Sequence, residues 1–271
     1  MRYRKKPTEQ MFVRSHGVTM RVRSNSQEAF GLATPLIEAS LPGCEITMAA
    51  RPFDHDFVYI WNKVPFDAVY KNGEKIDARR SRETAPILLA AQLRLCVAEH
   101  SPDFTFVHAG VVAVNGKAIL LPAKSFHGKT TLTAELVRRG AKYYSDEFAV
   151  IDKRGRIHPF PKDLSMRGII DDLQQVEIPV EEIGGKAGKR PVTAGLIIFT
   201  EYVENEKWAP KKLTPGQALL ELVNHTIPIR ANAASAIKTL SLVVQNAICI
   251  SSKRGNASET VDRILEIRQT V

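Results

Sequence analysis

The sequence predicts an α/β protein whose core alternates apolar strands with amphipathic helices around a glycine-lysine loop, preceded by a small α+β region. Three observations carry this. An apolar strand over 118–121 stops just before Ala123-Lys124-Ser125-Phe126-His127-Gly128-Lys129-Thr130-Thr131, and a helical pattern starts at the last residues of that segment. Further on, an apolar strand over 194–202 and the helical patterns over 218–223 and 233–246 keep the alternation going. The first third instead alternates in strand fashion over 11–22, 57–61 and 67–70, where Asn72-Gly73 supplies a hairpin turn.

The 271 residues can bury a sizeable core. They are read as an α+β region over 1–100 packed on a core over 101–271. Apolar stretches such as 194–199 are too short to cross a bilayer, and the charged N-terminus, Met1-Arg2-Tyr3-Arg4-Lys5-Lys6-Pro7, has no apolar segment behind it. The expectation is a soluble, unexported protein without a membrane partner. Cys44, Cys96 and Cys249 are far apart and form no C-x-x-C pair, so neither a disulfide framework nor a zinc site is suggested and a reducing cytoplasm fits. The net charge of +9, concentrated at 2–6, 79–82 and 186–190, attracts polyanions. No zinc-finger, basic-zipper or aromatic RNA-binding signature accompanies it, so specific nucleic-acid binding is not expected.

Taken in order, residues 82–100 place Ile87, Ala91, Leu95 and Ala98 at helical spacing, with Pro86 tolerated in the first turn. Two strands, 106–114 and 117–121, join around Asn115-Gly116. A helix over 130–139 turns Leu132 and Leu136 inward; Gly140 ends it, and Arg138 and Arg139 complement its negative end. A strand over 143–152 leads into a turn at Asp152-Lys153-Arg154-Gly155. Residues 182–191, with Gly184-Gly185-Lys186-Ala187-Gly188-Lys189-Arg190, read as a mobile basic loop. Thr214-Pro215-Gly216-Gln217 is a capping box with proline at the first helical position. The chain closes with a helix over 233–246, a strand over 248–251, and a helix capped by Ser258 that turns Val261, Ile264 and Leu265 inward.

Residues 123–130 fit the phosphate-loop (P-loop) pattern, with Ala123 in place of the first glycine and Thr131 adding a second hydroxyl. Successive backbone N–H groups of such a loop form a nest for phosphate oxygens, and the next helix points its positive end at the same spot. Gly128 lets the backbone come close, Lys129 neutralises β- and γ-phosphate oxygens, and the Thr130 hydroxyl ligates a bridging Mg²⁺. The relaxed pattern arises by accident in roughly one chain in fifty of this length. It is the strand before and the helix after that raise it to a nucleotide-binding reading; otherwise Lys129 is a solvated loop residue.

Ser145-Asp146-Glu147 interrupts the apolar strand over 143–151. Adjacent carboxylates on one strand face opposite ways, so one faces the phosphates and the other serves a turn or a second contact. Asp146 is the candidate for holding Mg²⁺ and accepting a proton from an attacking hydroxyl. The alternative is an exposed edge strand with solvated carboxylates.

His108-Ala109-Gly110-Val111, the strand Gly116 to Leu121, the loop, Leu136-Val137-Arg138-Arg139-Gly140 and Ser145-Asp146-Glu147 together resemble the nucleotide-binding core of HPr kinase/phosphorylase and HPr-kinase-like kinases. The resemblance is strongest over 108–151 and weaker over 159–168. It implies a mixed sheet like that of phosphoenolpyruvate carboxykinase, and ATP- and Mg²⁺-dependent phosphorylation of a serine hydroxyl. It also implies Asp146 as base with Glu147 as its neighbour. In outline the chain is most similar to peptide serine kinases of the lasso-peptide type, which implies a peptide or small-protein substrate. Three departures stand out: Ala123 for glycine, Asp-Glu for Asp-Asp, and Met166 where a glutamate precedes the Arg167-Gly168 step.

His108 either orients a carboxylate or phosphate or is a structural histidine, and His127 contributes its backbone N–H. Lys162 and Arg167 approach phosphates or are surface charge; Arg230, Lys186, Lys189 and Arg190 are weaker candidates. Asp54-His55-Asp56 reads as a polar turn rather than a metal shell. Two alternatives to the peptide kinase remain: a kinase for a small molecule such as free serine, and a non-catalytic nucleotide-binding regulator. A homo-oligomer is left open.

Overall fold

The computed structural model describes residues 6–62, 67–81, 83–123, 128–166, 176–227 and 232–269. The chain divides into two compact units, Met1–Asp103 and Phe104–Val271.

In the first unit the elements are β1 (Glu9–Ser15), β2 (Val18–Ser24), α1 (Gln27–Ser40), β3 (Glu45–Thr47), β4 (His55–Ile60), β5 (Asp67–Lys71), β6 (Glu74–Arg80) and α2 (Thr84–His100). The strands form one sheet in the order β3-β1-β2-β4-β5-β6, with only β2 and β4 parallel. The Asn72-Gly73 turn joins β5 to β6 with positive φ at both residues, as a tight hairpin requires. The alternation over 11–22 is two strands, not one, because His16-Gly17 also takes up positive φ and reverses the chain.

Helix α1 was not expected from the sequence. Pro35 lies inside it and breaks the pattern, yet Ala29, Phe30, Ala33 and Ile37 are buried. Helix α2 forms as predicted and buries Ala98 as expected, but its main inward stripe is Leu89, Leu93, Cys96 and Val97, with Ala91 and Leu95 half-buried and Ile87 54% exposed. The helix is apolar nearly all round, so its periodicity could not select the face.

The second unit contains β7 (Phe104–Val114), β8 (Lys117–Pro122), α3 (Lys129–Arg138), β9 (Lys142–Ser145), β10 (Phe148–Asp152), β11 (Arg156–His158), β12 (Leu164–Met166), β13 (Val176–Ile178), β14 (Val192–Tyr202), β15 (Lys211–Lys212), α4 (Pro215–Val223), α5 (Ala233–Gln245), β16 (Ile248–Arg254) and α6 (Ala257–Gln269). Its main sheet runs β11-β10-β7-β8-β14-β16-β15, with β9 also on β7 and a short β11–β14 pairing. β14 is parallel to both β8 and β16 and the other pairs are antiparallel, so the sheet is mixed.

Alternation along the strands builds an apolar layer on each face. Val107, Ala109 and Val111 of β7 join Leu222 of α4 and Leu240 and Val243 of α5. Val112 joins Ile119 and Leu121 of β8, Leu132 and Leu136 of α3, and Val261 and Ile264 of α6. His108 and Gly110 therefore share the α3 face.

Several local predictions hold. Gly140 (φ 91°) closes α3 in a Schellman motif: its N–H donates to Val137 O at 2.9 Å, and that of Ala141 to Leu136 O at 3.1 Å. The capping box of α4 is complete, with Gln217 N donating to Thr214 Oγ1 at 3.3 Å and Thr214 N to Gln217 Oε1 at 2.9 Å. Helix α6, however, is capped by Asn256, whose Oδ1 accepts from Ser258 N at 2.8 Å.

Two further readings are corrected. The strand over 143–152 is broken into β9 and β10 at Asp146-Glu147, where Ser145 Oγ accepts from the N–H groups of Glu147 and Phe148, both at 3.0 Å. The basic segment over 182–191 is tied to β9 rather than free. Tyr143 N donates to Lys186 O at 2.9 Å, Gly188 N to Tyr143 O at 2.7 Å, and Tyr144 Oη to Arg190 O at 2.8 Å. A Cβ on Gly188 would stand 2.2 Å from the Tyr144 ring, so only glycine fits there. Among the described residues no helix is long and apolar enough to cross a membrane.

Candidate functional site

β8 ends at Pro122, Ala123 is buried, and α3 begins at Lys129 directly after Gly128 (φ 74°), so the strand and helix that frame the loop are present. Lys124, Ser125, Phe126 and His127 lie outside the described residues, as does Arg167.

Lys129 and Thr130, in the first turn of α3, converge on Asp146 in the break between β9 and β10. Thr130 Oγ1 donates to Asp146 Oδ2 at 2.6 Å. Lys129 Nζ donates to the Asp146 carbonyl and stands 3.8 Å from Oδ1. Oδ1 is buried and has no hydrogen-bond partner among the described residues. The side chain of Asp146 is 5% exposed, which excludes the solvated edge-strand reading. Burial raises its carboxyl above the ordinary range, against the opposing charge of Lys129 and the Thr130 hydrogen bond.

The pairs Val111–Ser145 and His108–Phe148 on either side of the break bring Asp146 level with Gly110 and Glu147 level with Ala109. Ala109 N donates to Glu147 O at 3.3 Å, which holds the break against β7. Glu147 is half-buried and its charge acts on both Asp146 and His108.

His108 Nε2 lies 3.5 Å from Lys129 Nζ. Burial and the Lys129 ammonium push the imidazole down to about 4, so at neutral pH it is uncharged and can accept from the lysine. Gly110 matters for steric reasons. A Cβ there would stand 2.3 Å from Thr133 Oγ1 and 3.2 Å from Lys129 Cγ, so glycine is what lets α3 approach β7.

Of the residues singled out from sequence, Lys129, Thr130, Asp146 and His108 come together. Thr131 is on the exposed side of α3. Lys162 pairs with Glu177 at 2.5 Å and is only 11% exposed, so it is not free surface charge. Met166 is half-buried and packs against the α3–α6 apolar layer. Arg230 lies outside the described residues, and Lys186 and Lys189 are exposed. Asp54 and Asp56 have structural partners: Asp54 Oδ2 accepts from Thr19 N at 2.8 Å, and Asp56 pairs with Arg21 at 2.7 Å and with Arg23.

Sequence reasoning missed Arg254. At the end of β16 it is 1% exposed, donates through Nη2 to Gly128 O at 2.7 Å and through Nη1 to Gly255 O at 2.9 Å, and its guanidinium lies 5.5 Å from the centroid of the Tyr202 ring. Its Nε has no hydrogen-bond partner and it forms no ion pair among the described residues. Burial lowers its pKa, opposed by Tyr202. The buried positive charge thus lies beside Gly128, the residue directly before α3. In sequence, Lys253-Arg254-Gly255 reads as a charged strand end.

No protein-family model matches the chain, and no curated protein matches it. Among solved structures it is similar to an HPr(Ser) kinase/phosphatase from Coxiella burnetii. The TM-score is 0.32 and the identity 14%, over 61% of this chain and 99% of that one. So loose a likeness supports no inference about the site.

Proposed function

We propose that the chain is an ATP- and Mg²⁺-dependent kinase that transfers the γ-phosphoryl group to a serine hydroxyl of a peptide or small protein. One observation carries this reading: the first turn of α3, directly after a phosphate-loop motif, holds Lys129 and Thr130 against a buried aspartate with an unsatisfied oxygen. A threonine hydroxyl 2.6 Å from such a carboxylate is an all-oxygen donor pair that fits Mg²⁺. When bound there, Mg²⁺ would neutralise phosphate charge.

The protein's own groups supply the rest. Neutral His108 orients Lys129 without adding a repelling charge, and Lys129 meets the phosphate oxygens. Arg254 fixes the carbonyl of Gly128 and adds positive potential under the loop. Asp146, shielded from water, accepts the hydroxyl proton as the serine oxygen attacks the γ-phosphorus and the bond to the β–γ bridging oxygen breaks, releasing ADP.

The test is intact-mass analysis of serine-bearing peptides incubated with the protein, ATP and Mg²⁺. Phosphate incorporation should vanish in both Lys129→Ala and Asp146→Asn while each variant keeps the native circular-dichroism spectrum. Undiminished incorporation in both would sink the assignment. Met166, packed into the apolar layer, leaves no carboxylate at its position. That favours a second reading, a nucleotide-binding regulator that does not turn over, which ATP hydrolysis dependent on Asp146 would exclude.

A further inference from the structure

The first unit brings together three side chains that the sequence keeps far apart. His55 opens β4, whereas Cys96 and His100 stand one turn apart near the end of α2, and four-residue spacing puts them on one face of that helix. α2 packs against β4. One ligand-type atom from each of His55, Cys96 and His100 lies within 4.8 Å of the other two. The imidazole rings are 4.2 Å apart, centroid to centroid. Cys96 is fully buried, His55 half-buried and His100 exposed, so the cluster runs from a buried thiol to an open rim.

We propose that His55, Cys96 and His100 form a binding site for a zinc-type divalent transition ion, with water completing a tetrahedral shell on the His100 side. Tetrahedral zinc with two nitrogens and one sulfur holds its ligand atoms about 3.3–3.7 Å apart, a gap that side-chain rotation closes from the observed spacing. Two imidazoles and a thiol select zinc-like ions over Mg²⁺ or Ca²⁺, which take oxygen. The site therefore differs in chemistry from Thr130 and Asp146 and shares no residue with them. Two carboxylates and one ammonium surround the cluster: Lys71 pairs with Glu99 at 3.2 Å, Glu99 also lies 3.8 Å from His100 Nε2, and the charge of Asp54 acts on both His55 and Cys96. Cys96 is not a free nucleophile: burial pushes its thiol up to about 12, and a bound cation is what would hold it as thiolate. Bound metal would pin the last turn of α2 to the first residue of β4.

The experiment titrates the chelator-treated full chain with Co²⁺ in the absence of nucleotide, which keeps it independent of the kinase assignment. One equivalent should bind with a thiolate-to-cobalt charge-transfer band, Zn²⁺ should displace it, and Zn²⁺ should raise the melting temperature. His55→Ala and His100→Ala should each weaken binding by at least roughly tenfold, as loss of a direct ligand costs no less than loss of a supporting contact. Cys96→Ser should abolish the band. Binding without the band, a band that survives Cys96→Ser, or an affinity untouched by His100→Ala would each overturn the site. His100 is exposed, so its variant decides the matter even if Cys96→Ser fails to fold.

Discussion

Two aspartates flanking one short strand show how neighbourhood separates a saturated carboxylate from an undersaturated one. Asp152, at the end of β10, accepts from Arg154 N at 2.9 Å, Arg156 N at 3.0 Å, Arg156 Nε at 2.8 Å and His158 Nε2 at 2.9 Å. Burial alone would raise its carboxyl, but these donors outweigh it and hold Asp152 down at about 2. Asp146, just before β10, is more deeply buried, takes one side-chain hydrogen bond and keeps an oxygen without a donor, so burial wins and its carboxyl is raised. The saturated carboxylate stabilises its turn. The undersaturated one keeps free capacity for a proton or a cation.

The largest expected effect separates the two by activity. Asp146→Asn should lower phosphoryl transfer by at least about 10³-fold, within the range for loss of a positioned acid-base group combined with charge stabilisation. Asp152→Asn should leave the rate per folded molecule near native; an equal loss in both would erase the contrast. Next comes stability. Asp152→Asn should cost about 2 kcal/mol in urea unfolding at neutral pH, since hydrogen bonds to a charged group are lost. Because the folded carboxyl is depressed, that stability is present above pH 3.8 and is lost as pH falls towards about 2, so the variant's acid curve should be flatter there.

A smaller effect tests the other titrating group of the site. His108 is depressed from 6.5 to about 4, so the unfolded chain takes up its proton first and stability falls as pH drops through that window. His108→Gln should flatten the fall, as followed by thermal melts across that range. The smallest effect is the counterpart of the first. With its carboxyl raised, Asp146 loses stability as pH rises through the folded value, so Asp146→Asn should melt slightly above the native protein at neutral pH. A lower melting temperature would mean that the Lys129 pairing outweighs burial.

Much of the framework was legible in the chain itself. The Asn72-Gly73 turn, the Gly140 helix end, the Thr214 capping box, and the strand and helix on either side of the glycine-lysine loop follow from short-range patterns. The candidate site was legible in part: Lys129, Thr130 and Asp146, which converge in the structure, were marked by motif and by a polar break in an apolar strand. Arg254 was not, because an arginine at a strand end has the same sequence pattern whether it meets water or a buried carbonyl. Helix α1 escaped notice because tertiary burial of Phe30, Ala33 and Ile37 overrides the penalty of Pro35.

What the sequence by itself determined is local: where the Asn72-Gly73 hairpin reverses, where α3 ends at Gly140 and where α4 begins at Thr214. Backbone dihedral preference and short-range hydrogen bonding act within a few residues and need no fold. Only the tertiary structure decided that Asp146 is buried and undersaturated, that Gly110 must lack a side chain, that Arg254 sits under Gly128, and that His55 meets Cys96 and His100. Each of these depends on burial and on donors, ring or helix faces brought from distant or separately folded segments, and desolvation exists for a side chain only once the surrounding elements have packed.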